Sequence, residues 1–319
     1  MIFEKQIVKM YKGMMYSRCD DTETVSYFAH TDFQGLKAEE YSFKSSLGHN
    51  LNGYIYSYDG ANTEVLIVFD HGMGGGHLAY MKEIELLCRH GFRVLAYDHT
   101  GCMKSEGKST NGLAQSLSDL NDCISSIKAN EKIGKVSISV MGHSWGAFST
   151  LNIAALHPDI THIVAISGFV SVKEMIGTFF SGLLGGYRKP VLELERSSNP
   201  KFFEFDAVNS LSKSNVKALL IYSDNDKLCR KKHYDILKSG LSGKENVRFI
   251  LTKGKGHNPN YTLDAVKYLC EFSKARAKLC RKKNLTAEQK ANFVSSYDWE
   301  RMTEQDEKVW EEIFRHLDN

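Results

Sequence analysis

The sequence predicts an α/β fold with a mostly parallel central sheet flanked by helices. Three observations predict it. Short apolar runs recur along the 319 residues, and most are followed by a stretch of helical spacing. Some runs, such as Val65-Leu66-Ile67-Val68-Phe69, are apolar at every position, as a strand covered on both faces should be. The pentapeptide Gly142-His143-Ser144-Trp145-Gly146 stands between a β-branched run and a helix-like stretch, in the order strand, tight turn, helix.

Residues 1–36 read as an N-terminal extension, in which Ile2, Phe3, Ile7, Val8 and Tyr11 are spaced for a short helix packed on the body. Alternation near Tyr41 and Phe43, then from Leu51 to Tyr58, gives two strands joined as a hairpin across Leu47-Gly48-His49-Asn50. After the strand Val65–Phe69 comes a glycine-rich loop, then a helix through Tyr80, Ile84, Leu87 and Cys88 that stops at Gly91. Phe92–Tyr97 is a buried strand. Leu113, Leu117, Leu120, Ile124 and Ile127 form one helical stripe. Val136–Val140 and the helical stretch Ala147–Leu156 flank the pentapeptide. Ile163–Ile166, Val216–Tyr222 and Val247–Leu251 supply further strands.

Residues 37–168 and 209–275 thus form the sheet core. Between them, 169–208 is rich in Phe and Gly and too long for an ordinary βα connection. It reads as a helical cap folded over the strand ends; a pair of ordinary core helices is the alternative. Residues 276–319 form a C-terminal helical extension. It has a capping box at Thr286-Ala287-Glu288-Gln289 and an apolar stripe at Trp310, Ile313, Phe314 and Leu317. That stripe packs either on the body or on a partner subunit, so a homo-oligomer stays open.

The net charge of +3 is too small to argue for nucleic acid or an anionic membrane surface. No run of about twenty apolar residues appears, so integral membrane association is not expected. The basic run Lys274, Arg276, Lys278, Arg281, Lys282 and Lys283 reads as a solvated helix face. The acidic residues after it (Asp298, Glu300, Glu304, Asp306, Glu307, Glu311, Glu312) are expected to pair within the tail. Seven cysteines, an odd number without a Cys-x-x-Cys pair, fit reduced thiols in a cytoplasmic protein better than a disulfide framework or a zinc site. The first residues lack the pattern of a secretory leader. No His, Cys, Asp or Glu cluster has metal-ligand spacing, and the chemistry below needs no metal or cofactor.

A turn between strand and helix this tight brings backbone arms together, so its flanking positions must lack a Cβ. It lifts the Ser144 hydroxyl above the sheet and points a helix N-terminus at it. A serine hydroxyl needs a base to take its proton and an acid to orient that base. With the serine first in the chain, the acid should follow a later strand and the histidine the next. Asp226 follows the strand Ala218–Tyr222, and His257 follows Phe249–Leu251. Asp224 is the competing acid.

Over roughly residues 38–275 the chain resembles the α/β-hydrolase superfamily, in particular its capped serine esterase, lipase and serine-aminopeptidase-like branch. The resemblance implies Ser144 as nucleophile, Asp226 as acid and His257 as base. Ser223 stands where the family's acid turn has a glycine. The loop Asp70-His71-Gly72-Met73-Gly74-Gly75-Gly76 resembles the family's oxyanion loop, which implies the N–H groups of Met73 and Trp145 as oxyanion donors. A phosphate cradle is the rival use of that loop, but it lacks the Gly-Lys-Ser/Thr ending. Asp98-His99-Thr100-Gly101-Cys102-Met103-Lys104-Ser105 resembles the family's Asp-x-Arg-Gly-x-Gly-x-Ser turn, with Thr100 for the arginine and Met103 for a glycine. His71 and His143 read as bracing residues.

The expected activity is therefore that of a carboxylesterase-like serine hydrolase acting on a small-molecule ester, apolar or aromatic, with Phe179, Phe180 and Leu183 as candidate substrate-binding residues. A peptidase, amidase or thioesterase would use the same three side chains. A non-catalytic ligand-binding protein on the same scaffold is the alternative of another class. A dehalogenase would need a carboxylate at position 144.

Overall fold

The computed structural model describes residues 3–133, 135–282 and 284–319. Ile2 of the N-terminal stripe and Lys283 of the basic run lie outside the described residues. The chain opens with helix α1 (Glu4–Met15) and the strands β1 (Lys37–Lys44) and β2 (Asn50–Ser57). β3 (Val65–Asp70) leads to α2 (Met81–Arg89), β4 (Arg93–Tyr97) to α3 (Gln115–Ala129), and β5 (Ser137–His143) to α4 (Trp145–Ile153). β6 (His162–Ile166) is followed by α5 (Val172–Phe179), α6 (Arg188–Ser198) and α7 (Ala207–Ser212). β7 (Lys217–Ser223) and β8 (Val247–Thr252) precede α8 (Lys231–Gly240) and α9 (Leu263–Leu279). The tail adds α10 (Ala287–Ser295), α11 (Trp299–Met302) and α12 (Glu307–Leu317).

The strands form one sheet in the order β1-β2-β4-β3-β5-β6-β7-β8. β1 pairs antiparallel with β2, and β2 with β4; every other pairing is parallel. Alternation along each strand divides the core. Leu66, Val68, Val140, Ala165 and Leu220 face α3, α4 and α8. Their neighbours Ile67, Phe69, Met141, Val164 and Ile221 face the other way, onto α2 and α12. A strand covered on both faces must be apolar at both parities, which is why these segments read as continuous runs.

The second layer depends on the C-terminal tail. α12 buries Val309, Trp310, Ile313 and Leu317 in the same cluster as the α2 residues Met81, Ile84 and Leu87. His316, also buried, donates from Nε2 to the Ile163 carbonyl of β6 at 3.1 Å. The tail thus packs on its own body. Three of its carboxylates pair with that body too: Glu300 with Lys82, Asp306 with Lys255 and Glu312 with Arg248. Among the described residues, the expected pairing within the tail reduces to Arg315 with Glu312. The reason is geometric, because α12 crosses the sheet and leaves the basic end of α9 behind. Thr286 and Gln289 form the capping box, each side chain bonded to the other's backbone N–H at 3.1 Å.

Between β6 and β7 the chain leaves the sheet near Ser171 and returns at Asp206, where the two form an isolated antiparallel bridge. The excursion carries α5 and α6. α6 rests on α1 through Glu195, which is buried and accepts the Tyr11 hydroxyl at 2.6 Å and the Leu113 N–H at 2.9 Å. Burial pushes the Glu195 carboxyl up to about 7.

If α12 is a structural layer, removing its central side chain should unfold the protein early. Ile313 has no exposed surface, and Ile313→Ala is expected to cost about 3 kcal/mol of stability. Urea unfolding followed by tryptophan fluorescence checks this; an unchanged midpoint would mean that α12 is an ornament.

Candidate active site

β5 ends in the pentapeptide, and Ser144 sits at φ 56°, ψ −110° between strand and helix. A non-glycine residue held there is strained, which makes the position notable. The flanking glycines are required by contact. A Cβ on Gly142 would lie 2.4 Å from the Thr150 hydroxyl, and one on Gly146 would lie 2.0 Å from the Asp70 carbonyl oxygen. The Ser144 N–H is tied to the Ile166 carbonyl of β6 at 2.9 Å.

Three side chains meet at this turn. Ser144 Oγ lies 2.8 Å from His257 Nε2, and His257 Nδ1 lies 2.7 Å from Asp226 Oδ2. The other Asp226 oxygen accepts the N–H groups of Leu228 at 2.8 Å and Cys229 at 3.1 Å. With Asp226 Oδ2 as an acceptor beside it, Nδ1 carries the ring proton and Nε2 is free to accept from the serine. Asp224, the alternative acid, is exposed and accepts the Gly254 N–H at 2.9 Å instead. Ser223 accepts the Lys255 N–H at 3.0 Å and so ties the two loops together.

His143 and Tyr80 hold this arrangement from below. The Tyr80 hydroxyl accepts the Gly72 N–H at 3.1 Å and donates to His143 Nδ1 at 2.8 Å. His143 Nε2 then donates to the His257 carbonyl at 2.8 Å. Burial, with His257 nearby, pushes the His143 imidazole down to about 3, so it stays neutral. One chain of bonds therefore links the glycine-rich loop, the serine turn and the histidine loop. His71 braces the same loop: it donates from Nδ1 to the Gly72 carbonyl at 2.6 Å and accepts the His99 N–H on Nε2 at 2.9 Å.

A charged layer lies beneath. His99 is fully buried, 3.0 Å from Asp70 and 3.3 Å from Asp119. Burial opposes its charge, but the two carboxylates overcome this and raise the imidazole to about 10. Asp70 also accepts the hydroxyls of Tyr97 and Ser149. Asp119 accepts Thr100 through both N–H and hydroxyl. The Thr100 that replaces the family's arginine thus serves Asp119, and the cation stands one residue earlier.

Ser144 and His257 open into a cavity of about 190 Å³. Its walls include Met15, Leu113, Phe169, Met175, Phe179 and Leu228, with Met73 and Trp145 beside the serine. Trp145 is the first residue of α4, so its N–H has no partner within the helix. Of the three aromatic and aliphatic residues expected at the substrate, Phe179 lines the cavity. Phe180 is turned away and packs on the Tyr11 ring at 6.0 Å. Leu183 is fully exposed. Both corrections follow from α5 ending at Phe179, so the residues beyond it no longer share its helical face. Met15 was not legible as a site residue: its helical spacing marks a packed face, not what that face covers. A larger open groove, about 780 Å³, lies between α2 and the tail, is lined by both charge signs and does not include Ser144.

A family model described as serine aminopeptidase, S33, matches residues 61–203, a span that holds Ser144 and ends before Asp226 and His257. The chain is 26% identical over 196 residues to an uncharacterized protein of Bacillus subtilis. It is 27% identical over 157 residues to a proline iminopeptidase of Saccharolobus solfataricus. These matches cover 54% and 47% of this chain, and the chain spans 63% and 48% of the relatives, less than two thirds of either. An esterase of Pyrococcus furiosus shares the fold, with a TM-score of 0.58 at 20% identity over 88% of this chain and 99% of that one. The chain thus has the α/β-hydrolase fold.

In this α/β-hydrolase fold the layer beneath the site is held by a buried charge. His99 is raised from 6.5 to about 10, so its stabilising contribution is complete below pH 6.5 and fades as pH rises toward 10. His99→Gln leaves the two carboxylates uncompensated and is expected to cost about 3 kcal/mol near pH 7. Denaturant midpoints measured from pH 6 to 10 should fall for the wild type and change less for the variant. A wild-type midpoint that rises over this range would contradict a charged His99.

Proposed function

We propose that the chain is a serine hydrolase that cleaves short, apolar carboxylic esters through an acyl-enzyme. One observation carries this reading: the hydrogen-bonded series Ser144, His257, Asp226 opens into an apolar cavity. His257 takes the Ser144 proton as the oxygen attacks the ester carbonyl, and Asp226 stabilises the resulting imidazolium. The N–H groups of Met73 and Trp145 receive the oxyanion, each contributing about 3 kcal/mol to transition-state stability. His257 returns the proton to the leaving alcohol, and water, deprotonated in turn by His257, releases the acid. In this reading residues 169–208 act as the cap that keeps bulk water off the acyl group.

The cavity supports the choice of substrate. It is small beside the about 300–1,000 Å³ of common ligand sites, which favours a short acyl group. Among the described residues its lining holds no carboxylate. A substrate ammonium would be desolvated there without a partner, an expensive arrangement. That favours a neutral ester over the N-terminal amine of a peptide, although the iminopeptidase relative makes peptide substrates the second reading.

A fluorophosphonate probe should label Ser144, and Ser144→Ala should abolish labelling and lower ester turnover by at least about a thousandfold. Nitrophenyl acetate or butyrate should turn over faster than aminoacyl nitroanilides; the opposite ranking would favour the peptidase. Met15→Ala is expected to move the preferred acyl chain upward in length, as read from kcat/KM across an ester series. An unchanged preference would remove Met15 from the acyl site.

A further inference from the structure

The segment after α1 returns to the body as a single parallel bridge between Cys19 and Cys102. The Cys19 N–H donates to the Gly101 carbonyl, and the Met103 N–H donates to the Cys19 carbonyl, both at 2.9 Å. Arg18 fixes the same segment by donating to the carbonyls of Met103, Ser105 and Gly107. Partners across a bridge lie about 4.8 Å apart, inside the about 4.4–6.8 Å between Cα atoms that a disulfide accepts. Both side chains leave the bridge on one face, and both thiols are free.

The surroundings of the two thiols differ. The neighbouring Cys102 thiol and the Gly74 N–H outweigh partial burial and lower Cys19 to about 7, whereas Cys19 and burial hold Cys102 well above its ordinary range. The Cys19 sulfur also lies 3.9 Å from the Ser17 carbonyl oxygen. Cys19 is half-exposed and Cys102 is buried. A reachable thiolate beside a buried thiol is the pattern of an attacking and a resolving cysteine. Cys88, Cys123 and Cys229 are buried and raised by desolvation, which leaves them inert.

We propose that Cys19 and Cys102 form a redox-active dithiol that closes to an intramolecular disulfide on reaction with a hydroperoxide. The Cys19 thiolate attacks the terminal peroxide oxygen; the S–O bond forms as the O–O bond breaks. Cys19 is oxidised to a sulfenic acid, and the peroxide, taking up one proton, leaves as alcohol or water. The loss of the neighbouring negative charge then eases deprotonation of Cys102. Its sulfur attacks that of Cys19, the S–S bond forms, the S–O bond breaks, and the hydroxyl leaves with the thiol proton as water. In sum, two thiols and one hydroperoxide give a disulfide, an alcohol (or water) and one water. The closed form clasps the N-terminal segment to the loop 98–105 beside Gly74. The chemistry stands apart from the hydrolase reading, because its readout is thiol count and not turnover.

The full chain is exposed to hydrogen peroxide while folded, then denatured, alkylated with N-ethylmaleimide and analysed by mass spectrometry. The expected result is two fewer alkylated thiols, a linked peptide containing Cys19 and Cys102, and reversal by dithiothreitol. Cys19 should disappear about tenfold faster than the exposed Cys270 and Cys280. In Cys102→Ser, Cys19 should stop at a sulfenic acid trapped by dimedone. The proposal is overturned if all seven thiols remain alkylatable, if the linked peptide joins other cysteines, or if Cys19→Ser loses two thiols at the wild-type rate.

Discussion

The rest of the site depends on one close approach of backbone. At Gly146 the first turn of α4 lies so near the end of β3 that a single added carbon would overlap the Asp70 carbonyl. The residue just before α4, Ser144, is held there in a backbone conformation that side chains seldom tolerate. The strain is held by the bond from the Ser144 N–H to β6 and by an α4 that is buried along its whole length. Because the serine cannot relax, its hydroxyl has a fixed origin. The imidazole and carboxylate need only be brought to that origin by their own loops.

Those loops are positioned by groups that take no chemical step in the proposed reaction. Tyr80 and His143 connect the glycine-rich loop, the serine turn and the His257 backbone through neutral hydrogen bonds. Beneath them, His99 between Asp70 and Asp119 ties the ends of β3 and β4 to α3. Buried charges of this kind are a poor way to gain stability but a good way to exclude alternative arrangements, since each mispairing strands an ion. Here the positions being specified are those of the loops that carry Met73 and Thr100.

Much of the sheet was legible because burial on both faces writes itself into sequence as uninterrupted apolar runs; β3 and β7 are examples. The turn at Ser144 was legible because its glycines answer a steric demand that no other residue meets. Asp226 could be named beside Asp224 but not separated from it, since the choice rests on which loop oxygen meets the His257 ring. Phe180 and Leu183 were misread as pocket residues because aromatic composition says nothing about direction, and α5 ends just before both. The tail's ion pairs were misassigned for a related reason: charge sequence predicts partners only when the fold keeps neighbours adjacent, and α12 crosses to the far side of the sheet. Met15 and the Cys19–Cys102 contact lay beyond sequence altogether, since both depend on where the first helix lands.

That landing has a bearing on how such a protein can diversify. Met15 is a wall of the cavity, yet it belongs to a twelve-residue helix outside the sheet, anchored to the excursion by Tyr11 and Glu195. Edits to this helix can resize the chamber while the reacting groups and their scaffold stay untouched. On the proposed reading, selectivity and chemistry then belong to separate pieces of chain, free to drift at different speeds.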